Sequence, residues 1–171
     1  QLGGYDGNVL FENLELMRTV KAGYGKILMK PDLYVERLPP SATHFWSQRV
    51  RQAYDDYAQP LKLTFFFLLL PFLFAALIIS PLMAFALLAL SIPIAEAGRR
   101  LHGGVKYFPV ASSFYAPCWL LERGVCTWLA MFAKLNAGGV RYNNNIIRVA
   151  ANPVWKLRAK LKARQLINLL G

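Results

Sequence analysis

Between Leu63 and Ala95 the chain carries no charged residue. That run of 33 residues would be about 50 Å long as one straight helix, against a bilayer hydrocarbon core of about 30 Å. A single span is therefore too long. Ser80-Pro81 offers the break, because proline cannot donate to the preceding helical turn. Two short spans are predicted, 61–79 and 81–97. The turn between them has no cation, whereas both outer ends do, which places both ends on the cytoplasmic side by the positive-inside rule. Such short spans call for tilt or local thinning of the bilayer.

The rest of the chain fits an integral membrane protein with polar flanks. Mean hydropathy is +0.31 with only 17% charged residues, yet the net charge is +11. Arg99, Arg100 and Lys106 follow the apolar run, and Arg141, Arg148, Lys156, Arg158, Lys160, Lys162 and Arg164 crowd the C-terminal region, where no acid follows Glu122. Cations beside membrane segments bind anionic lipid headgroups, so the charge argues for a membrane surface and against nucleic acid as the partner. Cys118 and Cys126 lie too far apart on one helix to bridge. Two buried free thiols facing a reducing cytosol are expected. The chain opens at Gln1 directly into patterned sequence and reads as part of a longer protein, with no signal peptide.

Apolar spacing predicts a helix over 9–22, with Leu10, Leu14 and Met17 on one face and Glu12, Glu15 and Thr19 on another. Asp6, Gly7 and Asn8 are its start signal, and Gly23 and Gly25 its stop. Lys26–Leu38 alternates as a half-buried strand, with Pro31 pointing to an edge or bulge. Residues 41–59 form an amphipathic helix capped by Ser41, with Trp46, Val50, Ala53 and Tyr57 as its stripe. The stretch 107–135 is long enough to cross a bilayer but carries Glu122 and Arg123 in its middle. It reads as a re-entrant or interfacial pair of helices hinged near Pro117 or Gly124, or as a third span. A small hairpin with an Asn-rich turn follows at 138–150. A basic amphipathic helix at 154–171 is expected to lie on the membrane, with Trp155 and the leucines on one side.

Two places carry candidate chemistry. Glu12 and Glu15 sit near a helix N-terminus, where the dipole favours acids; taken alone they read first as a solvated helix face, and the sharper reading is a general base that takes a proton from a hydroxyl. The stretch "QRVRQ", 48–52, holds Gln48, Arg49 and Arg51. It reads either as the polar face of an interfacial helix or as a grip on phosphate, since guanidinium presents a fork of donors to phosphate oxygens. Asp55-Asp56 belongs to the polar face of that helix, and His44 and His102 are given no role.

Taken in order, these stretches resemble the C-terminal part of a membrane-bound family 2 glycosyltransferase. That family carries an acidic "E-D-x-D/E-L" motif on a helix, then a strand, a Pro turn and "Q-x-x-R-W" on an interfacial helix leading into membrane helices. "GGYDGNVLFENLEL" stands in the first place and "DLYVERLPPSATHFWSQRVRQ" in the second, and the resemblance extends to "GGVRYNNN". Asn13 occupies the place of the motif's usual base, and Gln52 that of the aromatic. The resemblance, to ceramide-glucosyltransferase-like or other lipid-directed members, implies an α+β fragment. Its parts are the end of a GT-A catalytic domain (1–60, with the interfacial helix 41–59), a transmembrane pair (61–97), a loop and membrane-associated segment (98–135), and the hairpin with its basic helix (136–171). It implies inverting transfer of a sugar from a nucleotide-sugar donor to a lipid or interfacial acceptor at the cytoplasmic face. Glu12, with Glu15 second, would act as base, and Gln48, Arg49 and Arg51 would hold the diphosphate. Magnesium or manganese would be bound by an upstream D-x-D that this sequence lacks, so the fragment alone is expected to be inactive. The competing reading is a non-catalytic, membrane-anchored scaffold.

Overall fold

The computed structural model describes residues 4, 6–31, 33–36, 38, 40–142 and 145–170, with the side chains at 164, 165 and 167–170 outside that description. The chain is mostly helical with one small two-stranded sheet. It divides into two compact units: Gln1–Met29 with Arg51–Pro60 and Ala130–Gly171, and Lys30–Val50 with Leu61–Leu129.

In the first unit, α1 (Glu12–Ala22) packs against α7 (Val154–Leu170). The short strands β1 (Val140–Tyr142) and β2 (Asn145–Ile147) pair antiparallel, Val140 opposite Ile147. Gly139 makes the pairing possible, since a Cβ there would lie 2.3 Å from the Ile147 carbonyl oxygen. The expected Asn-rich turn falls at 143 and 144, outside the described residues. Ahead of α1, Val9 forms a parallel bridge with Val149, and the Leu10 and Phe11 N–H groups donate to the carbonyls of Val149 and Ala150. These bonds satisfy donors at a helix start that no side chain caps. The expected start signal closes a local turn instead, with the Asn8 N–H on Asp6 Oδ1 at 3.0 Å.

Two expectations for this unit are corrected. The inward face of α1 is the polar one: Glu15, Thr19 and Ala22 are buried while Leu16 is exposed. A buried carboxylate is tolerated there because its hydrogen bonds are met. In α7 it is Leu157 that is buried, and Trp155 is exposed, so the tryptophan and the leucines do not all face one way. Cations hold it as well: Lys160 pairs with Asp6 and Arg158 lies over the Tyr24 ring.

In the second unit, α3 (Pro60–Ile79) runs to a break at Ser80, whose backbone is extended, and Pro81 then opens α4 (Pro81–Ala89), continued by α5 (Ser91–Leu101). The break stands where Ser80-Pro81 predicts it. Pro60–Ile79 and Pro81–Leu101 are both long and apolar enough to cross a bilayer. Only 17% and 6% of their most apolar windows are buried. Phe72, Phe74, Ile78, Leu82, Phe85 and Ile94 all lie exposed along them.

The stretch predicted to hinge is instead one helix, α6 (Ala116–Ala137), preceded by a 3-10 segment (Val110–Tyr115). Pro117 falls in the first turn, where a missing N–H costs nothing. Gly124 does not break the helix. It lets α3 close in, because a Cβ there would lie 2.9 Å from Leu70 Cγ. Phe66 meets Trp119 edge-on and Phe67 stacks on Trp128 along the same seam.

The strand predicted at Lys26–Leu38 does not form among the described residues. The described residues there are irregular, with a turn closing Leu33 N–H onto the Lys30 carbonyl across Pro31. A strand needs a ladder partner, and among the described residues none flanks this one. The residues of its apolar face, Ile27, Met29, Leu33 and Val35, are exposed instead. The helix predicted at 41–59 is α2 (Ala42–Tyr54) followed by a 3-10 turn (Asp55–Ala58). Ser41 does cap it, accepting from the His44 N–H. Trp46 leaves the expected stripe and is 55% exposed, while Tyr54 is fully buried. Of the cysteines, Cys126 is buried and Cys118 exposed, correcting the expectation of two buried thiols.

Candidate functional site

The expected site residues divide between the two units. Glu12, Glu15 and Arg51 belong to the first, Gln48 and Arg49 to the second. Within the first, the two acids differ sharply. Glu12 opens α1 and is exposed in its first turn. Glu15, one turn on, is fully buried, and both its oxygens are occupied: Oε2 accepts the Asn152 N–H at 2.6 Å and Oε1 accepts Asn152 Nδ2 at 2.8 Å. Arg18 completes the arrangement, donating to the Asn152 carbonyl at 3.0 Å and to the Ala58 carbonyl at 2.6 Å. Glu15 therefore ties α1 to the segment before α7, while Glu12 is open to solvent.

Arg51 is half-buried, with its guanidinium 4.9 Å from the centre of the Tyr142 ring. That contact steadies a cation on the β1 aromatic. Nearby, Tyr54 donates to the Arg148 carbonyl at 2.7 Å, and Lys134 Nζ lies 3.8 Å over Tyr57. Burial pushes the Tyr54 and Tyr57 hydroxyls above the usual phenol range, so both stay protonated donors at neutral pH.

In the second unit, Gln48 Nε2 stands 2.7 Å from His44 Nε2 on the same helix, which gives His44 a partner that its sequence context did not suggest. Arg49 forms an ion pair with Glu122 of α6, and Cys126 donates to the other Glu122 oxygen at 2.9 Å. Burial works to raise the Glu122 carboxyl, but the hydrogen bonds from Arg49 and Cys126 and the charges of Arg49 and Arg123 outweigh it and leave it below its ordinary range. Burial and the bond to Glu122 push the Cys126 thiol up to about 12. Arg49 is thus committed to α6 rather than turned to a ligand.

Sequence reasoning missed Asn152, Arg18 and Tyr142. None has a neighbour in sequence that would mark it. The Glu122 partner had a signal: an acid in an apolar stretch demands a cation, and "QRVRQ" is a cation source. For a divalent metal, no group of three His, Cys, Asp or Glu side chains converges among the described residues.

No protein-family model matches the chain, and neither a curated protein nor a solved structure does. What fold and site define is a largely helical protein with two helices long and apolar enough to cross a bilayer.

Proposed function

We propose that the chain is the membrane-proximal part of a glycosyltransferase that moves a sugar from a nucleotide-sugar to a lipid or interfacial acceptor, with both ends of its helix pair on the cytoplasmic side. The observation that carries this reading is the contrast within α1: Glu12 is open at the start of the helix while Glu15 is buried on Asn152. Arg51 lies in the same compact unit, and the helix that carries it leads by a short 3-10 turn into the first apolar helix. The exposed apolar faces of α3, α4 and α5 support a lipid environment, since patches of that extent are rare on water-soluble surfaces.

In this reading Glu12 takes the proton from the acceptor hydroxyl as its oxygen attacks the anomeric carbon. The bond to the nucleoside diphosphate breaks, and the leaving group departs with the electron pair. Arg51 offsets the charge that builds on it, which is stabilisation where charge develops. Glu15 is a positioning residue, not the second base.

The test is transfer of labelled sugar from nucleotide-sugars to lipid extract by the full-length protein in its own membranes. Glu12→Gln and Arg51→Ala are each expected to lower the rate by about a hundredfold or more, the usual scale for a lost general base and for a lost charge-stabilising donor. Full activity in both variants would remove the reading. A non-catalytic membrane scaffold is the second reading, and one observation favours it: Glu15 and Arg49 are both spent on intramolecular contacts. A protein inert toward every nucleotide-sugar, and not stabilised by uridine or guanosine diphosphate, would decide for the scaffold.

A further inference from the structure

The second unit holds a hollow of about 290 Å³ where α5 ends, walled by Tyr34, Gly98, Arg99, His102, Ser112 and Ser113 among others. Its chemistry is distinct from that of the α1 acids. Glu96 accepts from Arg99 Nε at 2.7 Å, Arg99 Nη2 at 2.8 Å, Arg100 Nε at 2.6 Å and Ser113 Oγ at 3.0 Å. One carboxylate thus faces two guanidinium groups, and Lys106 adds another cation close by in sequence. The local balance is positive. Arg99 Nη1 donates to the Phe108 carbonyl at 2.8 Å, so three of the five guanidinium N–H donors hold the side chain in place at the wall. Tyr34 is fixed as well, its hydroxyl on the His102 carbonyl at 2.8 Å and its ring against Tyr107 and Phe108.

The position narrows the ligand. The hollow sits at the polar end of a helix whose apolar side chains Leu90, Ile94 and Leu101 are exposed. Beside it, Tyr107, Phe108, Phe114 and Tyr115 are exposed too, an aromatic cluster of the kind found at headgroup depth. The volume is at the small end of ligand sites, which run ~300–1,000 Å³, and suits a headgroup better than a whole lipid. We propose that this hollow receives the phosphate of an anionic lipid headgroup, with the acyl chains lying along the exposed face of α4 and α5. The inference rests on the reading that Pro81–Leu101 crosses the bilayer.

Gly98 supplies a charge-neutral test. A Cβ there would meet no atom within 4 Å, so a larger side chain fills the hollow without a clash at its base. The full-length protein is exchanged into nanodiscs of phosphatidylcholine with phosphatidylglycerol, and the lipid it retains on release is identified by native mass spectrometry. Retention of phosphatidylglycerol over phosphatidylcholine is expected, weakened about tenfold by Gly98→Leu, equivalent to ~1.4 kcal/mol. Ser112→Leu narrows the same hollow from another wall and serves if Gly98→Leu fails to fold. Unchanged retention in the folded variants overturns the site. Inorganic phosphate displacing the retained lipid, and protecting the protein from heat equally well, assigns the hollow to free phosphate and overturns the lipid. Failure of the membrane reading shows separately: alkaline carbonate would then strip the wild-type protein from its membranes before any lipid is measured.

Discussion

Trp128 donates its indole N–H to the Phe67 carbonyl at 3.2 Å while its ring stacks on the Phe67 ring at 4.4 Å. The carbonyl it reaches is the one that Pro71, four residues on inside α3, cannot serve. In an apolar setting such a freed carbonyl needs another donor, and α6 provides it. Trp128→Phe keeps the ring contact and removes the donor, so it should cost about 1–3 kcal/mol, the penalty of an unsatisfied buried acceptor. Pro71→Ala restores the intrahelical donor. In that background Trp128→Phe should cost clearly less, as measured by thermal unfolding in detergent. An equal cost in both backgrounds would mean that the indole bond does not replace the missing one.

The Arg49–Glu122 pair joins α2 to α6 inside the second unit, with both side chains largely withdrawn from solvent. Removing one partner strands the other, which for buried pairs costs roughly 3–5 kcal/mol. Glu122→Leu and Arg49→Met should each destabilise by about 3 kcal/mol, at the lower end because some exposure remains, and the double variant should recover most of that loss. The pH dependence has a definite sign. A carboxyl held below its ordinary value when folded contributes stability above its unfolded pKa, near 4.5, and that contribution fades as pH falls through the lower folded value. Wild type should lose stability on acidification over that range more steeply than Glu122→Gln. Parallel acid profiles would exclude the pair as the cause.

How far the fold was legible follows from the kind of signal each element carries. The break at Ser80-Pro81, the cap at Ser41 and the pairing of 140–142 with 145–147 are local, set by residues within a few positions, and each stands where predicted. The alternation at 26–38 is local too, but a strand also needs a partner, and alternation says nothing of one. The burial of Glu15 was illegible for the opposite reason: it depends on Asn152, 137 residues away, and reverses the rule that the apolar face turns inward. Gly124 looked like a hinge because sequence shows only its freedom, whereas its role is the space it leaves for Leu70.

Glu15 and Glu12 should separate in any assay that normalises activity to folded protein. Asn152→Ala removes the amide donor to a fully buried carboxylate and should cost about 2–3 kcal/mol, the scale for a buried charged group losing one partner. Glu15→Gln should also lower the melting temperature. Neither should lower the rate per folded molecule nearly as much as Glu12→Gln, which is expected to leave stability almost unchanged because Glu12 is exposed. A Glu15→Gln variant as stable as wild type but inactive would make Glu15 a chemical participant and undo its assignment to folding.

The two thiols offer a probe of how α6 is packed that requires no assay of function. Cys118, in the first turns of α6, is exposed. Cys126, two turns on, is fully buried, donates to Glu122 and holds its proton up to about 12. Since the thiolate is the reactive species, burial and protonation both protect Cys126. Mass spectrometry after maleimide treatment of the folded protein in detergent should find Cys118 modified and Cys126 intact, with both modified after denaturation. Glu122→Leu removes the acceptor of the Cys126 thiol and the anchor of Arg49 together, so it should expose Cys126 to slow labelling at neutral pH. Rapid labelling of Cys126 in wild type would show that α6 does not hold this face against its neighbours, and the cost assigned to the Arg49–Glu122 pair would fall with it.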